Sequence, residues 1–213
     1  SLLNIFEGDY EKALKNLNKT VSVNPAFYKA YLTLGNVHQD LGNISQAINN
    51  YEKAILHGKQ DVNFVKDAQY NLALIKVRRQ LDQNPEDIKA YIMLGKTLLS
   101  NEDFKRAQKA FIKALSINEN NVAAHAGLGN TFLRNGSIFD AEKEFNRALE
   151  INPHNIESLV GLGIIYHKRL ELTKAIQVLQ KALSIEPKNK LALKTLGEAY
   201  FEEEKPQKAI NTY

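Results

Sequence analysis

The sequence predicts an all-α solenoid, in which one short helical hairpin is copied and stacked along the chain. Two observations carry that prediction. The first is a fixed period: Gly95, Gly129, Gly163 and Gly197 stand at one constant interval, as do Ala107, Ala141, Ala175 and Ala209, with Ala13 and Ala47 at the same spacing near the start. A strict period of about 34 residues belongs to stacked units rather than to one globular core. The second is that apolar residues fall at helical three-and-four spacing twice within each period, with a break between the two runs.

The elements follow in order. Gly8, Tyr10, Ala13 and Leu17 occupy second-helix positions, so the sequence enters the pattern part-way through a unit. Tyr31, Leu34, Gly35 and His38 mark a first helix, Gly42 breaks it, and Ile44, Ala47, Tyr51 and Ala54 mark a second. The next unit is shortened, because the interval from Gly35 to Gly95 falls about two helical turns short of two periods. Val65, Ala68, Leu72 and Ile75 keep first-helix spacing there, whereas Val77, Leu81 and Pro85 keep the spacing of a second-helix end. No Gly, Pro or Ser lies between Phe64 and Gln83 to mark a turn. The spacing therefore predicts one long irregular helix over 62–82. Such a helix among hairpins predicts a kink or seam between a block ending near His57 and one starting near Glu86.

Regular units resume with Tyr91, Leu94, Gly95 and Leu98, then Phe104, Ala107, Phe111 and Ala114. The unit from Val122 to Asn155 is the clearest. His125, Leu128, Gly129 and Phe132 line its first helix, Asn135-Gly136 breaks it, and Ile138, Ala141, Phe145, Ala148 and Leu149 line the second. Asn152-Pro153 ends it, since proline cannot continue a helix and restricts the residue before it. Leu159, Leu162, Gly163, Tyr166, Leu172, Ala175, Leu179, Ala182 and Pro187 repeat the pattern. Asp61, Asp87, Asn121, Asn155 and Asn189 precede first helices and suit an N-cap, where a side-chain oxygen accepts from a free amide of the first turn. The glycines let paired helices approach closely, and alanines such as Ala47 and Ala141 receive the bulky side chain opposite. The expected organisation is a block over 1–57, a shortened unit over 58–86 and a block over 87–213. The lack of methionine at Ser1 and the stop inside a helix at Tyr213 lead us to expect a piece of a longer protein.

This run of aromatic, Leu-Gly, aromatic, Ala, aromatic, Ala and Pro resembles the tetratricopeptide repeat, in several copies over nearly the whole chain. The family's first-helix Trp is replaced by Tyr31, Tyr91, His125, Leu159 and Leu193. The resemblance implies a right-handed superhelical solenoid and non-catalytic protein binding. A peptide or helix of a partner would lie in a concave groove, lined by a stripe of the first helices that the hairpin core does not use. Here that stripe carries Asn36 and Gln39, then Lys96 and Leu99, then Asn130, Leu133 and Arg134, then Ile164, His167 and Lys168, and finally Phe201. Leu99, Leu133, Ile164 and Phe201 would supply affinity and the asparagine amides would hold peptide backbone. Lys96, Arg134 and Lys168 form a basic flank that favours an acidic ligand. Co-chaperones of the family grip a C-terminal carboxylate with lysines and asparagines. Here the lysine places hold Leu32, Ile92 and Ala126, which argues against a two-carboxylate clamp even though Asn36 and Asn130 remain. The alternatives are the recognition arm of a larger enzyme such as a transferase, or a scaffold that self-associates through open repeat ends.

Composition narrows the chemistry. The 213 residues carry a net charge of +4 with signs mixed, and basic runs at 76–79 and 167–169 are short enough to be solvated helix faces. No nucleic-acid partner is expected. The absence of cysteine excludes disulfides, thiolate metal sites and a cysteine nucleophile, and suits a cytoplasm or a bacterial envelope equally. No apolar run approaches the roughly 20 residues that cross a bilayer. The five histidines show no metal-ligand spacing; His38 and His125 take repeat core positions, while His57 and His154 fall near helix ends. There is no P-loop, GxSxG or HExxH pattern. Neither a cofactor nor a metal site is expected, and no catalytic constellation is present.

Overall fold

The structure, a computed structural model, describes residues 2–210, with the backbone alone described for residues 2–8, 206 and 210. The expectations built on Ser1 and Tyr213 lie outside the described residues. Among the described residues there are twelve helices and no strand. They form two compact units, Ser1–Pro85 and Glu86–Tyr213. The first holds α1 (Leu2–Val23), α2 (Tyr28–Asp40), α3 (Ile44–His57) and α4 (Val62–Gln83). The second holds α5 (Ile88–Ser100), α6 (Phe104–Ile117), α7 (Val122–Arg134), α8 (Ile138–Ile151), α9 (Ile156–Lys168), α10 (Leu172–Ile185), α11 (Lys190–Glu202) and α12 (Pro206–Ile210).

The period has a simple material basis. First helices α2, α5, α7, α9 and α11 are each 13 residues long, and second helices α3, α6, α8 and α10 are each 14. In both units every helix packs on the next. In the second unit, α5 also touches α7, α7 touches α9 and α9 touches α11, so first helices form a continuous layer. The shortened segment is a single 22-residue helix, α4, as its lack of turn residues predicts. Asp61 caps its start and Asn84-Pro85 ends it. Its Ala68 joins Tyr31, Leu34 and Ala54 in one core cluster, and its Ile75 joins Ala47 and Tyr51 in another.

All five residues expected at N-caps accept a backbone N–H through the side chain. Asp61 accepts from Phe64, Asp87 from Ala90, Asn121 from Ala124, Asn155 from Ser158 and Asn189 from Ala192. Asp103 does the same for α6, accepting from Arg106. The turns inside hairpins carry a constraint that the glycine pattern only half reveals. Gly42 and Gly136 adopt φ of 75° and 86°, and at equivalent places Glu102, Leu170 and Glu204 adopt 62°, 59° and 59°. Three of five turns thus hold an L-residue with a side chain in the left-handed region, which costs roughly 1–2 kcal/mol each.

The cores are built around clamped rings. A Cβ added at Gly95 would stand 2.6 Å from the Phe111 ring, and one at Gly127 would also strike Phe111. Phe145 is held the same way between Gly129 on its own hairpin and Gly161 on the next. Both rings are fully buried. One period later the ring becomes Leu179, and the residue at the place of Gly127 and Gly161 becomes Thr195. By the repeat spacing, a smaller knob goes with a larger residue at the facing position, as close packing demands. His125 is buried at 8% exposure. Its Nδ1 lies 2.7 Å from Glu144 Oε2 and its Nε2 2.9 Å from the Glu119 carbonyl, so it ties the α6–α7 loop to α8 besides filling space.

Candidate functional site

Asn36 and Gln39 lie on α2, in the first unit, and both are exposed. The Tyr51 hydroxyl comes across from α3 and sits 2.8 Å from Asn36 Oδ1 and 3.0 Å from Gln39 Oε1. Asn71 Nδ2 also donates to Asn36 Oδ1, at 3.2 Å. The single Tyr51 proton is shared between the two amide oxygens, and Asn71 gives Asn36 Oδ1 a second donor. Burial of the Tyr51 ring beneath Gly35, with the Asp40 charge adding to it, pushes the hydroxyl up to about 12. It stays protonated and keeps donating across the working pH range.

The other nine stripe residues lie in the second unit. Lys96 and Leu99 come from α5, Asn130, Leu133 and Arg134 from α7, Ile164, His167 and Lys168 from α9, and Phe201 from α11. Two of the three cations of the expected basic flank stand beside carboxylates. Arg134 donates from Nη1 to the Leu99 carbonyl at 2.7 Å and from Nη2 to Glu102 Oε1 at 3.0 Å, and its guanidinium lies 5.7 Å from the Phe104 ring centre. It fastens the end of α5 to α7. His167 Nε2 is 3.2 Å from Glu202 Oε2, an ion-pair distance without hydrogen-bond alignment, since that nitrogen has no hydrogen-bond partner. Lys96 Nζ stands 3.8 Å from Glu157 Oε2. Of Lys96, Arg134 and Lys168, Lys168 alone is exposed with no ion pair among the described residues.

Leu99, Leu133 and Ile164 are half-buried, and Ile164 packs on the core cluster of Leu159, Leu179 and Leu196. Phe201 is 72% exposed. The residue that sequence reasoning missed is Glu157, in the first turn of α9. Its Oε1 accepts from Asn130 Nδ2 at 2.6 Å. Glu157 thus joins Lys96, Asn130 and α9, three parts of the stripe, at one point. It also borders a cleft of about 360 Å³ that Asn130, Val160, Ile164, Glu186 and Leu191 help to line. Sequence signalled it only as an acid in a first turn, where the helix dipole favours one anyway.

Models of the tetratricopeptide repeat match residues 92–156, and a second form of the repeat matches 28–56 and 156–189, together more than half of the chain. The chain belongs to the tetratricopeptide repeat family. Its hairpins are those of a family of protein-interaction scaffolds. Solved structures agree on the fold. The crystal structure of the MamA protein matches at 20% identity, covering 87% of each chain with a TM-score of 0.54. The pilF protein of Pseudomonas aeruginosa matches at 18% identity, covering 87% of this chain and 88% of that one with a TM-score of 0.57. A tetratricopeptide repeat protein from Parabacteroides merdae ATCC 43184 matches at 16% identity, covering 98% of this chain and 72% of that one with a TM-score of 0.52. At these identities the likeness concerns the fold alone. No curated protein matches in sequence. Among the described residues no helix is long and apolar enough to cross a membrane, and no cluster of side chains could hold a metal ion.

Proposed function

We propose that this tetratricopeptide repeat protein is a non-catalytic scaffold that holds a peptide or helix of a partner protein on the layer formed by α5, α7, α9 and α11. The observation that carries the reading is the surface of that layer. Phe201 is exposed, Lys168 is a cation with no ion pair among the described residues, and Ile164 and the Asn130 amide line one cleft. Apolar anchors among hydrogen-bonding groups suit an extended or helical peptide. Within the expected basic flank Lys168 has no ion pair among the described residues, and it is the cation we propose to meet an acidic group of the ligand.

The test compares faces. A partner is isolated by affinity capture on the wild-type chain, and its affinity is then measured with purified proteins. Lys168→Glu combined with Phe201→Ser should weaken binding more than about tenfold with the melting temperature unchanged, because both side chains are exposed. Lys109→Glu combined with Phe139→Ser, on the exposed sides of second helices α6 and α8, should leave binding as it was. The reverse pattern overturns the proposal.

A further inference from the structure

We propose that the cleft between α7, α9 and the start of α11 receives a lysine or arginine side chain of the bound peptide. The proposal rests on the reading that this layer binds a peptide, and names what one part of it recognises.

Glu157 and Glu186 stand at the cleft, and each has one oxygen held by a neighbouring amide. Asn130 Nδ2 donates to Glu157 Oε1 at 2.6 Å, and Asn189 Nδ2 donates to Glu186 Oε2 at 2.9 Å. Each amide thus spends a donor inside the site and aims a carboxylate. An ionised carboxylate accepts about four hydrogen bonds and an amide NH2 has two donors, so acceptor capacity on the two carboxylates outnumbers the one N–H that each amide has left. The occupant that fits must bring donors and positive charge. The walls add a second requirement. Val160, Ile164 and Leu191 line the same cleft of about 360 Å³, and aliphatic walls below carboxylates match the apolar stem and charged head of lysine or arginine. An acidic side chain there would meet two negative charges.

The chain carries its own stand-in for that cation. Lys96 reaches Glu157 Oε2 from α5, but only to 3.8 Å, beyond the roughly 2.7–2.9 Å of a charge-assisted hydrogen bond. Its side chain is 53% exposed, so it can leave without exposing any core. Lys96 is a weak internal competitor that a partner's cation displaces.

The experiment selects random peptides displayed on phage against the full chain and measures the winners as synthetic peptides by fluorescence anisotropy. The winners should carry a lysine or arginine. Glu157→Gln should weaken them about tenfold, while Lys96→Met, which removes the competitor, should strengthen them about threefold. Replacing the peptide's basic residue by norleucine should cost about tenfold against the wild type and almost nothing against Glu157→Gln. A gain from Lys96→Met cannot come from a damaged fold. Winners that lack a basic residue yet lose binding in Lys168→Glu/Phe201→Ser overturn the cleft assignment and leave the binding layer standing. Winners indifferent to every one of these variants, or no winners at all, overturn both.

Discussion

Phe145 touches the backbones of two different helices, and that fact governs what its neighbours can be. Gly129 and Gly161 press on the same ring from successive hairpins, so the ring has no room to yield to either. Gly161→Ala gains roughly 1 kcal/mol of helix propensity and loses roughly 1–3 kcal/mol to overpacking. Because the ring is clamped, the loss should win. We expect net destabilisation of about 1–2 kcal/mol in urea unfolding. The same substitution in a Phe145→Leu background should cost much less, as the pairing of Leu179 with Thr195 one period later suggests. An equal cost in both backgrounds would show that the clamp is not the cause. Reading the sequence assigned a packing role to Gly129 but none to Gly161, which took on meaning only when the next hairpin was in place. The charged residues teach the same lesson. Arg134 and Lys96 look alike in sequence, yet one fastens α5 to α7 and the other hovers at a carboxylate of α9, two hairpins further on.

At the scale of elements, the capped helix starts were legible and the hairpin turns only in part. The caps at Asp61, Asp87, Asn121, Asn155 and Asn189 depend on a few neighbouring residues, and local chemistry suffices to read them. Glycine announces the turns at Gly42 and Gly136, but Glu102, Leu170 and Glu204 adopt the same left-handed backbone without it. Packing of the flanking helices imposes that conformation whatever residue stands there. Leu170 is 71% exposed, so its side chain contributes little to offset the strain. Leu170→Gly relieves roughly 1–2 kcal/mol and returns roughly 0.4–1 kcal/mol to the unfolded chain as entropy. The expected outcome is stabilisation by about 0.5–1 kcal/mol, seen as a raised midpoint in urea. Glu102→Gly should gain less, because Glu102 also pairs with Arg134 at 3.0 Å. The long helix α4 was legible for the opposite reason: with no residue able to break it between its cap and Asn84-Pro85, continuing the helix satisfies each backbone group in turn.

At the scale of the whole molecule, contacts are between neighbours, and each unit has its own core. In a stack of this kind stability is close to a sum over repeats and their nearest-neighbour interfaces. Residues 86–213 keep their own cap at Asp87 and the unbroken series of packed helices from α5 to α12. Expressed alone, they should fold, with helical circular dichroism per residue matching the full chain and a cooperative urea transition. A non-cooperative fragment would show that this unit borrows stability from residues before it.

The sequence by itself determined the repeat, its helices, their caps and the merged helix α4, because helical spacing and first-turn hydrogen bonds act over a few residues and the strict period copies them along the chain. The layer proposed to hold a ligand was also chosen from the sequence, through the family resemblance. Only the tertiary structure decided which groups of that layer are still available. Asn36 and Gln39 share the Tyr51 hydroxyl, Arg134 is paired with Glu102, and Glu157 emerges beside Lys96 and Asn130. Those pairings join side chains on different helices, and their distances depend on how one hairpin is rotated against the next, which no local pattern records.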